Sequence, residues 1–185
     1  MTQDEYTRTL DGHYASNWGP PRAQRRWERG PVEDLPRDFC VLAFNRSPAM
    51  TAYATRCMSQ LEDEERLELH LLTRRDDDLA PALVELLTVT AHYHRTGSSL
   101  GLGHTVNFGR PWRPGSACTH GLISLPYLDG PRLEWLIEPR VRFLWLVPIT
   151  ASELLFKKQH GLEALEERFE AAQFDFLDPL RASVV

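Results

Sequence analysis

Several things are scarce in this chain of 185 residues. Its three cysteines, Cys40, Cys57 and Cys118, are odd in number and widely spaced. No CxxC occurs, which excludes half of a zinc ribbon and a thioredoxin-type pair and leads us to expect a reducing compartment. No apolar run approaches the roughly 20 residues that span a bilayer. The N-terminus, MTQDEYTRTL, carries acids where an export signal needs a basic and then an apolar stretch, so no targeting segment is expected and the protein is read as cytoplasmic, with no membrane partner. A positive excess is missing too: 21 Lys and Arg against 26 Asp and Glu leave a net charge of −5 and a pI near 5.8. That balance argues against a protein built to coat nucleic acid.

What is present is ordinary. Apolar residues make up 42% and charged residues 25%, as in globular domains. The length points to one domain. Tyr6, Leu10 and Tyr14 recur every fourth residue, which predicts a helix over 3–17 stopped by Gly19-Pro20-Pro21. Residues 19–37 read as an irregular Pro- and Arg-rich connector, so 1–37 is expected to be a helix plus connector and 38–185 the globular domain.

From there the pattern is that of a sheet. FCVLAF from Phe39, YATRCM from Tyr53, and Leu67, Leu69 and Leu71 alternating with Glu68 and His70 predict three strands in an antiparallel meander. A helix is expected over 79–94, capped by Asp76, Asp77 and Asp78, with Pro81 in its first turn and His92, His94 and Arg95 at its negative end. Ser98 to Ser116 reads as a long loop holding one short strand, HTVNF. THGLISL, LEWLIE and VRFLWLVPI predict three further strands. Thr150 and Glu153 form a capping box that opens a helix to about Gln159, and a second helix follows over 162–172. The fold class is therefore α+β: a mixed, mostly antiparallel sheet of about six to seven strands flanked by helices.

The chemistry is sparse. There is no G-x-x-x-x-G-K-[ST] and no G-x-S-x-G. Gly101-Leu102-Gly103 opens like a dinucleotide fingerprint, but Val106 stands where the third glycine belongs, and the segment follows a helix. His92 and His94 point about 200° apart on a helix and cannot share one ion, so a charge role at the helix end fits them better. Cys118 and His120 would share a strand face roughly 6–7 Å apart, too far for direct proton transfer. His104, His120 and Cys118 remain the residues for an alternative reading as a metal-binding or hydrolytic enzyme. The acidic runs read as solvated faces, and no buried carboxylate pair with split pKa values is expected. Arg22, Arg25, Arg26 and Arg29 around Trp27, and Arg110, Trp112 and Arg113, combine Arg with Trp as protein interfaces do.

The segments FCVLAFNRSP, TAYATRCMSQ, ELHLL, ELLTVTAHYHRTG, LGLGHTVNFGRPW, HGLISLPYLDGP and VRFLWLVPITASELLFKKQHGLEALEERF together resemble the Suppressor of fused domain of bacterial proteins, over about Asp38 to Val185. Pro148-Ile149-Thr150, Glu153, Lys157-Lys158, Gly161, Leu162 and Leu165 carry the most specific part. The resemblance implies an α+β binding module without cofactor or enzymatic activity. Animal members hold a transcription factor through a short strand added beside the domain, and bacterial members occur as immunity proteins against toxins. A second domain after about residue 180 is not expected, so the animal two-domain clamp would not be available. Tyr93 matches a peptide-contacting tyrosine of the animal members. A protein partner is thus expected, a toxin or a regulatory protein, with Tyr93, His104, Phe108, Arg110, Trp112 and Arg113 as the candidate contacts.

Overall fold

The computed structural model describes residues 1–30, 32–75 and 78–185. Helix α1 (Gln3–Trp18) opens on a capping box: the Thr2 hydroxyl accepts the Glu5 amide, and Glu5 Oε2 accepts the Thr2 amide at 2.7 Å. Tyr6, Leu10, Tyr14 and Trp18 form its buried stripe. Burying a side chain of this size contributes about 1.5–3 kcal/mol. Gly19, at φ 79, ends the helix in a conformation that suits a residue without Cβ.

The connector contains a strand that the pattern did not reveal. Strand β1 (Ala23–Arg25) pairs antiparallel with β2 (Cys40–Ser47), which continues into β3 (Met50–Arg56) and β4 (Leu67–Arg74) as the expected meander. β3 ends earlier than its β-forming residues suggest because Cys57 takes φ 61 and turns the chain. Helix α2 (Ala80–Thr96) has Leu79 at its N-cap position with no side-chain cap, so the expected aspartate cap is not made by the residue at that position. Asp76 and Asp77 lie outside the described residues.

Strands β5 (Thr105–Asn107) and β6 (Cys118–Ser124) follow. The LEWLIE segment departs from its alternation. Gly130 and Pro131 start a short helix, α3 (Pro131–Glu134), and only Trp135–Leu136 remain as strand β7. A Pro at the first helical position is preorganised for the turn, and this start signal overrides the period of two. Strand β8 (Val141–Thr150), α4 (Ala151–His160) and α5 (Leu162–Ala172) complete the order, the last two helices lying on either side of Gly161 as expected.

Among the described residues the sheet has eight strands, in the order β1-β2-β3-β4-β8-β6-β5 with β7 beside β8. Every pairing is antiparallel except β4 with β8. α2 covers one face, over Val41, Tyr53, Leu69, Leu71 and Leu146. α1, α5 and the segment around Phe174–Leu177 cover the other, over Leu42, Phe44, Phe143, Trp145 and Val147. A strand buried on both faces reads as an unbroken apolar run, which is why FCVLAF and VRFLWLV look as they do.

The double cover extends to β4. The polar residues of the alternation Leu67-Glu68-Leu69-His70-Leu71 do not face water: Glu68 and His70 are 0% and 1% exposed. α1 seals that face: the Trp18 ring stands edge-on to His70 at 5.2 Å, and the Tyr14 hydroxyl donates to the Thr55 carbonyl at 2.9 Å.

A candidate protein-binding groove between helix α2 and edge strand β5

At one end of the sheet β5 has a partner on only one side among the described residues. Its register, Thr105 with Leu122, Val106 with Gly121 and Asn107 with His120, is flanked by bonds from the Phe108 amide to the Thr119 carbonyl and from the Ile123 amide to the His104 carbonyl. Residues 104, 106 and 108 therefore bond inward to β6. By alternation, the amides and carbonyls of Thr105 and Asn107 face outward.

Alongside this edge runs α2. Leu83, Leu86 and Leu87 are turned into the core, and Glu85, Val89 and Tyr93, four apart, form a second stripe beside them. Val89 and Tyr93 are each 46% exposed. Helix and edge enclose a groove of about 430 Å³ lined by Glu85, Val89, Tyr93, Thr105, Phe108 and Arg110 among others. Phe108 can lie there because residue 121 is glycine: a Cβ on Gly121 would come within 2.6 Å of the Phe108 ring and of Leu146. Arg110 and Glu85 form an ion pair between the two walls.

Of the six candidate contacts, the structure brings Tyr93, Phe108 and Arg110 into this groove. His104 is exposed just before β5. Trp112 is 3% exposed within the α2-side core, and Arg113 stacks over it at 5.8 Å while donating to Thr73 Oγ1 at 3.0 Å. Neither of those two lines the groove. Val89, Thr105 and Asn107 were not singled out from sequence. The usable signal was an apolar residue one turn before Tyr93, off the Leu stripe.

The residues of the alternative reading fall apart geometrically. A bulge lies between Cys118, opposite Thr150, and His120, opposite Ile149. The extra residue, Thr119, reverses the alternation, so Cys118 joins the α2-side core and does not share a face with His120, contrary to expectation. His120 Nδ1 instead lies 3.0 Å from Thr119 Oγ1. Burial raises the Cys118 thiol above its ordinary pKa, against a smaller lowering by Arg181, which keeps it a thiol rather than a nucleophilic thiolate.

At the end of α2 the two histidines also separate. His92 Nε2 faces Asp34 Oδ2 at 3.1 Å. His94 Nδ1 accepts the Leu100 amide at 2.9 Å, and burial lowers its pKa, so His94 serves as a neutral acceptor rather than a helix-end charge.

A larger hollow of about 980 Å³ lies where β4 and β8 begin, lined by Arg66, Arg95, Trp135, Arg140 and Arg142 among others. Much of its charge is engaged within the chain. Arg95 pairs with Asp63, Arg142 with Glu134 at 2.8 Å, and Arg66 donates to the carbonyls of Gln60 and Leu61.

Two carboxylates, neither of them in the acidic runs read as solvated faces, are buried outside both concavities. Glu68 accepts from the Thr55 hydroxyl at 2.6 Å and from the Met58 amide at 3.0 Å, and burial pushes its pKa up to about 8 against those hydrogen bonds. Glu153, the capping-box acid of α4, accepts Arg181 Nη1 at 2.6 Å and Nη2 at 2.8 Å. Burial raises its pKa, but the Arg181 bonds and the Thr150 amide outweigh that and hold it low.

The geometry defines a three-layer α+β scaffold with an open sheet edge beside an exposed helix stripe. The comparisons give the family: the profile of Suppressor of fused protein (SUFU) matches residues 36–182. The chain belongs to the Suppressor of fused family, whose members are typically non-enzymatic, protein-binding regulators. A SUFU homologue from Neisseria gonorrhoeae FA 1090 is similar at 34% identity over 98% of both chains, with a TM-score of 0.85. Sufu in its complex with Fu shares the fold at 15% identity, over 98% of this chain and 91% of that one, with a TM-score of 0.68. Drosophila Suppressor of Fused does so at 15% identity and a TM-score of 0.63, over 96% of this chain and 50% of its own. No curated protein matches. Among the described residues no helix is long and apolar enough to cross a membrane.

Proposed function

We propose that this chain is a non-enzymatic binding module that takes an extended segment of a protein partner along β5, in the groove against α2, and neutralises that partner by occlusion. Its role is regulatory, and where the partner is a toxin it is that of an immunity protein. The observation that carries this reading is the outward-facing backbone of Thr105 and Asn107 beside the half-exposed Val89 and Tyr93. Main-chain bonds to an added strand supply affinity, and the pocket supplies specificity. Tyr93 and Phe108 give apolar anchors, Arg110 a charged one, and His104 flanks the entrance. Trp112 and Arg113 support the loop.

The test uses a partner isolated from the native host, purified and titrated against the chain. Tyr93→Ala is expected to weaken binding at least about tenfold, as truncation of an anchor does. Thr105→Pro removes an outward donor without touching the ladder to β6 and should weaken it similarly. If both variants fold and bind like the parent, the groove is not the site.

A further inference from the structure

The opposite end of the same sheet is also an edge, and its chemistry differs. β1 pairs only with β2 among the described residues, and the chain continues past it without helix or strand through Arg26, Trp27 and Glu28. Over residues 22–29 four arginines stand against one acid, Glu28, in a chain whose net charge is −5. By the period of two, Ala23 and Arg25 share one face of β1; Ala23 and, beyond the strand, Trp27 pack on the α2-side core, while Arg26 is exposed. Among the described residues Arg25, Arg26 and Arg29 make no ion pair. Arg25 Nε is buried and has no acceptor among the described residues.

We infer that the β1 edge is a second docking site, which takes an acidic extended segment of a protein as an added strand. The backbone edge provides the ladder, Trp27 an apolar footing, and the three unpaired guanidinium groups fix the sign of the incoming side chains. Guanidinium suits carboxylates because its fork of donors matches their two oxygens. A domain with two such edges can hold two segments at once, one selected by apolar contacts at β5 and one by charge at β1. Edge arginines could instead serve only to repel stray strands, and the experiment separates the two roles.

The probe is a capped, labelled peptide of about ten residues alternating Glu and Val, long enough to cover a strand, titrated by fluorescence anisotropy against the full chain. Binding should weaken as salt rises, because exposed charges are screened. It should also slow hydrogen exchange across residues 22–27. The triple variant Arg25→Ser, Arg26→Ser, Arg29→Ser should lose affinity at least about tenfold, and the exposed single change Arg26→Glu about threefold, with unaltered melting. Tyr93→Ala should leave this binding unchanged, so the outcome is independent of the β5 groove. The proposal is overturned if either arginine variant binds the peptide like the parent. It is equally overturned if single-stranded DNA is preferred over the peptide, or if the parent ignores the peptide and the triple variant merely self-associates.

Discussion

Glu68 and Glu153 are both 0% exposed, yet the chain treats them in opposite ways. Glu153 is met by a full positive charge: Arg181 delivers both guanidinium arms to it, and its other bonds come from the amides of Thr150 and Val184. Among the described residues the donors to Glu68 are neutral, the Thr55 hydroxyl and the Met58 amide among them, with Tyr6, Tyr14 and Cys57 nearby as neutral groups whose own pKa values burial raises. The first therefore stays ionised and the second takes a proton. The lesson is that burial does not settle the charge of a carboxylate, whereas a cation within bonding distance does. The two lie toward opposite ends of the parallel pair β4 and β8, since Glu68 faces Phe143 near the start of β8 and Glu153 follows its end. Displaced carboxylates can mark catalytic sites. These two line neither concavity, so they belong to the scaffold that holds the groove.

The largest effect should come from breaking the charged case. Arg181→Met leaves Glu153 buried without its cation, so that it must carry a stranded charge or take up a proton in the fold, and should destabilise the protein by about 3–5 kcal/mol in denaturant titrations. Adding Glu153→Met to the same chain should recover much of that loss, because no carboxyl remains to be buried without its cation. A double variant as unstable as the single would mean that Arg181 acts through its packing on Phe169 and Phe174, at 5.7 and 5.1 Å, rather than through charge.

The neutral case shows itself in pH. Glu68 has a folded pKa of about 8, above its ordinary 4.5, so the folded state binds the extra proton between those values. Stability from this group is complete below about pH 4.5 and declines as pH rises through 8, by a few kcal/mol in total at about 1.4 kcal/mol per unit. For Glu153, held below 4.5, the sign is reversed: its contribution is present above that value and lost as pH falls. Glu68→Gln should therefore gain on the parent in melting scans between pH 5 and pH 9. A difference constant with pH would show that Glu68 is ionised in the fold and dissolve the contrast.

How much of this was readable depends on how far each signal reaches along the chain. α5 ends within a residue of its expectation, and the Thr150–Glu153 cap was visible, because both rest on neighbours a few residues apart. The ion pair was not visible, since Arg181 is 28 residues beyond Glu153. The burial of Glu68 and His70 was not readable because alternation reports two unlike faces but not what covers them, and α1, encoded far upstream, covers theirs. One extra residue, Thr119, reversed the faces of Cys118 and His120. In the groove, Tyr93 was legible through family likeness and Phe108 and Arg110 through an unusual loop. Trp112 looked the same in sequence and is core. Three residues of β1 are too short to show a period at all.

The smallest test sharpens the neutral case from the donor side. Thr55 Oγ1 donates to Glu68 Oε2 and accepts the Leu69 amide at 2.8 Å, so Thr55→Val removes both bonds at nearly constant volume. The cost should be about 1–3 kcal/mol, the range for a buried group left unsatisfied. It should also depend on pH. The hydroxyl lowers the Glu68 pKa, so without it the folded pKa rises further and the variant loses more ground at pH 9 than at pH 5. A cation would have to be supplied to flatten that slope, as Arg181 does for Glu153, and a neutral isostere cannot. An equal cost at both pH values would mean that the Thr55 hydroxyl serves the Leu69 amide alone and contributes nothing to the charge state of Glu68.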